Sequence, residues 1–125
     1  MAGIDCSGLV MCMFYELGFT IQDMGAAALR TFFKGYEISP EFAEPGDLYF
    51  YGDPIIQSKI NHVTICFKVW PGGQRMIIGA NGGGPDIIND KIAYERGAFV
   101  KIDRACYWQK NLKCVINPFK KLEIQ

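Results

Sequence analysis

Asp5-Cys6-Ser7-Gly8-Leu9-Val10-Met11-Cys12-Met13-Phe14-Tyr15-Glu16-Leu17-Gly18 is the stretch whose reading decides the fold. Leu9, Val10, Met13, Phe14 and Leu17 recur at helical spacing, which predicts a helix over Cys6–Leu17. Gly18 supplies a C-terminal stop, and Asp5 stands where an N-cap belongs. A cysteine in the first turn meets unpaired backbone N–H groups and the positive end of the helix dipole. Both favour thiolate over thiol, so the Cys6 pKa is expected to fall and its nucleophilicity to rise. The N–H groups of Cys6 and Ser7 are then candidate donors to a developing oxyanion, and Gly8 allows backbone or substrate to come close. The competing reading is a buried helical thiol with no chemistry.

Outward from that helix, a second is expected over Met24–Phe33, with Asp23 as its cap, Gly35 beyond its end and a small-residue face of Ala26, Ala27 and Ala28. From residue 44 the pattern changes to strands. Glu44-Pro45-Gly46-Asp47 reads as a turn, followed by a strand over Leu48–Tyr51 that Gly52-Asp53-Pro54 breaks. His62 to Val69 is rich in β-branched and aromatic residues. Pro71-Gly72-Gly73-Gln74 reads as a hairpin turn, and Arg75 to Ala80 as the returning strand. Asn81-Gly82-Gly83-Gly84-Pro85 is an irregular loop, and Asp86 to Arg96 is ambiguous. Ala98–Ile102 and Lys113–Ile116 read as further strands. Helices first and an antiparallel sheet after them indicate an α+β domain.

The 125 residues form one domain. With 50% hydrophobic and 21% charged residues, disorder is excluded as the general state. Thirteen basic and thirteen acidic residues cancel, which leaves neither the basic excess of a nucleic-acid binder nor a polybasic membrane patch. The apolar run Leu9–Phe14 is far short of the roughly 20 residues that span a bilayer. It also lacks the flanks of a signal peptide, so no membrane insertion and no export signal are expected. The oligomeric state is not legible.

Five cysteines, at 6, 12, 66, 106 and 114, fit no zinc or CxxC spacing. Cys12 and Cys66 are expected in the core, and the unpaired count argues against a disulfide scaffold. Trp70 and Trp108 fit packing better than sugar stacking, and Lys120-Lys121 reads as a solvated tail. The single histidine, His62, excludes a multi-histidine metal site, and no metal or organic cofactor is implied. Any histidine-dependent mechanism must use His62. A lone histidine is more often structural than catalytic, but a cysteine hydrolase needs a nearby base.

Asp-Cys-Ser-Gly-Leu-Val at a helix start resembles the signature of the NlpC family of cell-wall cysteine peptidases, which have a compact papain-like fold. Glu16-Leu17-Gly18-Phe19 is similar to that family's helix end, and Pro45-Gly46-Asp47-Leu48 to the turn leading into its first long strand. His62-Val63 before an apolar strand matches the place of its catalytic histidine. The ordered match covers roughly residues 3 to 80. The resemblance implies Cys6 as nucleophile, His62 as base, a third polar residue that fixes the imidazole tautomer, and Asp5 and Ser7 as substrate-binding residues. The implied substrate is the stem peptide of bacterial peptidoglycan. A bacterial enzyme or a phage enzyme both fit, with delivery through a parent protein, an upstream segment or a virion.

Two departures stand out. The family commonly carries a second histidine on the strand after the hairpin, and motif matching puts Gly79 there. If Gly72-Gly73 is a two-residue turn, Pro71 faces Gln74, His62 lies opposite Gly83, and Asn81 faces Thr64 on the same sheet face as His62. Asn81 is therefore the candidate third catalytic residue, its carbonyl accepting the imidazole N–H. The competing reading gives Asn81 to a Gly-rich turn. A bulge would shift this register. The family also has a segment with a tyrosine before its cysteine, whereas five residues precede Cys6 here. That tyrosine is absent, replaced by Tyr49 or Tyr51, or lost with an upstream segment. Besides the peptidase, a Cys–His amidase or acyltransferase and a non-catalytic wall-binding module on the same fold stay open.

Overall fold

The computed structural model describes residues 5–52, 59–80, 100–104 and 111–123. The Asn81–Pro85 loop, the Asp86–Arg96 segment, Cys106, Trp108 and most of the Gly52–Asn61 loop lie outside the described residues. Two helices, α1 (Cys6–Glu16) and α2 (Ala26–Phe32), precede the strands β1 (Glu37–Ile38), β2 (Leu48–Gly52), β3 (Ile60–Val69), β4 (Arg75–Ala80), β5 (Val100–Arg104) and β6 (Leu112–Ile116). A 3-10 turn spans Pro40–Phe42, and a short helix α3 (Pro118–Leu122) follows β6. The strands form one six-stranded sheet in the order β1-β6-β2-β3-β4-β5, antiparallel throughout. This is the expected α+β class. Among the described residues no helix is long and apolar enough to cross a membrane.

Helix α1 forms where local chemistry says it should. The Asp5 side chain caps its first turn. At its other end Gly18, at φ 90°, lets the chain turn back, so Gly18 N–H reaches Tyr15 O (3.0 Å) and Phe19 N–H reaches Phe14 O (2.9 Å). Its buried residues Ser7, Val10 and Phe14 define one stripe. Cys12 sits about 200° round the helix from Val10 and is exposed, against the expectation of a core thiol. Helix α2 starts two residues later than expected. Gly25 is its N-cap and no side chain caps it, so Asp23 does not hold that place.

Strand β2 lies between β3 and β6 and is buried along its whole length. Its alternation sorts the core into two layers. Leu48 and Phe50 join Val10, Phe14, Leu29, Phe33, Val63, Ile65 and Ile116 beneath the helices. Tyr49 and Tyr51 join Cys66, Ile77 and Val115 on the other face. Each fully buried large side chain contributes about 1.5–3 kcal/mol relative to exposure, so the helix layer is fixed chiefly by this apolar contact. The turn into β2 is held by Asp47, whose carboxylate accepts the Glu44 N–H at 2.9 Å, with Gly46 at φ 98°.

The β3–β4 hairpin differs from the expected two-residue turn. Val69 pairs with Arg75, and Trp70 N–H bonds Gln74 O at 2.8 Å across a three-residue loop. Gly72 and Gly73, both near φ +95°, make that loop possible. Phe67 is then bulged, between the pairs Lys68↔Met76 and Cys66↔Ile77. By Ile65↔Ile78 the register has moved two positions from the expectation.

The end of the chain is also not a solvated tail. Helix α3 packs Phe119 against Phe14 and Phe19, at centroid distances of 6.3 and 6.1 Å. Lys121 Nζ donates to Phe32 O at 2.6 Å and lies 3.8 Å over the Phe32 ring.

Candidate active site

One carboxylate organises the first turn of α1. Asp5 Oδ1 accepts the Gly8 N–H at 2.6 Å and the Ser7 hydroxyl at 3.4 Å. Cys6 therefore sits between two residues tied to each other, and the backbone N–H groups of Ser7 and Cys6 act to lower its thiol pKa. Ser7 is buried and Cys6 half-buried.

That turn is seated on β3 at the histidine. The backbone N–H of Val63, the residue after His62, lies close enough to the Cys6 sulfur to pull its pKa down. Among the described residues the β3–β4 ladder forms no pair beyond Ile65↔Ile78 toward His62, whereas β2 stays paired through Phe50↔Val63 and Tyr51↔His62. Val63 turns its side chain toward the helix layer. His62 turns its imidazole toward Tyr51, with ring centroids 5.7 Å apart and an interplanar angle of 35°. The sulfur thus lies beside the strand position that follows His62, while the imidazole faces the Tyr51 layer on the other side of β3.

The electrostatics correct one expectation. The Cys6 thiol is held above its ordinary value, not below it. Burial is the largest cause. The Val63 N–H opposes it, the Asp5 carboxylate adds to it, and the N–H groups of Ser7 and Cys6 oppose it more weakly. A half-buried thiolate over an apolar layer loses more hydration than these donors return. Burial also pushes up the thiols of Cys66 and Cys114. Cys6, Cys12, Cys66 and Cys114 are all free thiols.

Around the imidazole the structure shows a pair that sequence reasoning did not assemble. Tyr51 Oη and Thr64 Oγ1 are 3.1 Å apart and buried, and either oxygen can donate. Gly79 takes the place beside Thr64 that the two-residue turn had assigned to position 81. A Cβ on Gly79 would lie 2.8 Å from Thr64 Cγ2 and 3.9 Å from His62 Nε2. Asn81 lies outside the described residues, and the register that singled it out is not the register observed. The only sequence signal for the pair was the period-2 placement of Tyr49 and Tyr51, already named as replacements for a missing tyrosine. Among the described residues no cluster of three or more His, Cys, Asp or Glu side chains is arranged to hold a metal ion.

A search of curated proteins gave no match. The model of the NlpC/P60 family matches residues 1–117 of this 125-residue chain. That match spans helices α1 and α2, the strands β1 to β6, the Cys6 turn and His62. On this ground the chain belongs to the NlpC/P60 family of cell-wall peptidases and related hydrolases, built on the papain-like fold.

Proposed function

We propose that the protein is a cysteine endopeptidase that hydrolyses peptide bonds in peptidoglycan stem peptides. The observation that carries this reading is the seating of the capped Cys6 turn on the His62–Val63 end of β3. Because burial keeps the Cys6 thiol protonated at neutral pH, the nucleophile arises by proton transfer to His62. The thiolate attacks the carbonyl carbon, and the oxyanion faces the N–H groups of Cys6 and Ser7. The imidazolium then protonates the leaving amine, and water cleaves the thioester with His62 as base. Asp5 and Ser7 line the approach to the sulfur and hold the substrate. Asn81 is the candidate acceptor of the second imidazole N–H in this scheme, by analogy with an asparagine of papain-like enzymes and not with the histidine common in the family. The enzyme acts in bacterial wall remodelling or in a phage.

The raised Cys6 thiol and the side-chain-free position 79 favour a second reading, a wall-peptide binding module that has lost catalysis. One experiment separates the two. Iodoacetamide labelling of Cys6 is followed against pH in the wild type and in His62→Ala, and muropeptide products are analysed for the wild type and Cys6→Ala. The peptidase requires selective labelling of Cys6 that depends on His62, and products that vanish in Cys6→Ala. Labelling that ignores His62, with intact muropeptides, leaves the binding module.

A further inference from the structure

We infer that Tyr51 and Thr64 act together as positioning residues for the His62 imidazole, in place of a side chain at position 79. The inference rests on the Cys6–His62 reading and extends it to what orients the base.

Position 79 cannot supply that orientation. It carries no side chain, and the space a Cβ would enter is already taken by Thr64 Cγ2, 2.8 Å away. Thr64 is β-branched and buried, so its methyl group cannot simply swing aside. Thr64 and a side chain at 79 are alternatives for one volume beside Nε2.

What stands there instead is a fixed wall. Tyr51 faces His62 directly in the β2–β3 register, and its ring lies against the imidazole. Its hydroxyl is held at 3.1 Å by the hydroxyl of Thr64, which is two residues from His62 on the same face of β3. The ring is thus pinned at both ends, by the strand pairing and by the hydroxyl bond. Tyr51 is 1% and Thr64 2% exposed, so water does not compete for that bond. A pinned aromatic ring beside the imidazole limits its rotation. A phenylalanine would fill the same volume without a hydroxyl to satisfy; the hydroxyl pair adds orientation and little packing.

The chain contains one histidine, so imidazole resonances report on His62 alone. Nitrogen chemical shifts of the full-length protein, with Cys6 alkylation rates, are measured for the wild type, Tyr51→Phe, Thr64→Val, Thr64→Ser and His62→Ala. In the wild type a single imidazole tautomer is expected. Tyr51→Phe and Thr64→Val should mix the tautomers and slow Cys6 alkylation roughly ten- to a hundredfold, the scale of a misplaced reacting group. Thr64→Ser keeps the hydroxyl and should recover most of the wild-type rate. Thermal unfolding of each variant shows that the fold persists. If Tyr51→Phe and Thr64→Val keep the wild-type tautomer and rate while His62→Ala loses the rate, the pair is structural and the inference fails alone. If His62→Ala also keeps the wild-type rate, the Cys6–His62 reading fails and takes the inference with it.

Discussion

The backbone N–H of Val63 lies close enough to the Cys6 sulfur to pull its pKa down, although the two residues are 57 positions apart in sequence. This proximity places the helix N-terminus where, among the described residues, the β3–β4 ladder has ended and β2–β3 pairing continues.

Asp5 carries two separable effects. Its carboxylate caps α1, and its charge raises the Cys6 thiol. Asp5→Ala should cost about 1 kcal/mol in urea unfolding through loss of the cap. Asp5→Asn keeps a capping oxygen, so it should unfold close to wild type while its Cys6 alkylation profile moves to lower pH. An unmoved profile in Asp5→Asn would mean the carboxylate charge is screened from the sulfur.

Gly79 and Thr64 should be energetically coupled. Gly79→Ala drives a Cβ to within 2.8 Å of Thr64 Cγ2 and should destabilise by about 1–3 kcal/mol. Thr64→Ser removes that methyl group, so the double variant should be more stable than the sum of the single changes allows. Strict additivity in a double-mutant cycle would show that β4 shifts to accommodate the alanine.

Burial raises the thiols of Cys6, Cys66 and Cys114 above their ordinary values. Their folded-state pKa values exceed the unfolded value of about 8.5. The unfolded chain therefore loses these protons first, and stability that is complete below that pH declines as pH rises past it. Under reducing conditions the melting temperature should fall between pH 8 and pH 10. Cys66→Ala should flatten this dependence while lowering stability at pH 7 through the cavity it leaves. A melting temperature unchanged to pH 10 would contradict the burial of these groups.

Lys121 and Lys120 are neighbours with different roles. Lys121 ties α3 to the end of α2 through Phe32 O and the Phe32 ring, whereas Lys120 is exposed. Lys121→Ala should cost about 1–2 kcal/mol, and Lys120→Ala should stay within about 0.5 kcal/mol of wild type. Equal effects in chemical denaturation would show that the docking of α3 depends on Phe119 alone.

Much of this protein is legible in local sequence. The Asp5 cap, the Gly18 stop and the apolar stripe of α1 depend on residues within one or two turns of each other, and so do the Pro45-Gly46 turn and the apolar run of β2. Local hydrogen bonds and side-chain period decide these features before any long-range contact forms. The Asp-Cys-Ser-Gly turn and the single histidine were enough to nominate Cys6 and His62. Features that depend on pairing were not legible. The three-residue loop at Pro71–Gly73 and the bulge at Phe67 moved the β3–β4 register by two positions. A shift of two keeps every side chain on its face, so the hydrophobic pattern carries no trace of it. The same register put Gly79 beside Thr64 and left the third site residue undetermined by arithmetic. The exposure of Cys12, the docking of Lys121 and the raised Cys6 thiol also belong to the tertiary structure. Each depends on which face another element covers and how much water it removes, and those are properties of the packed chain.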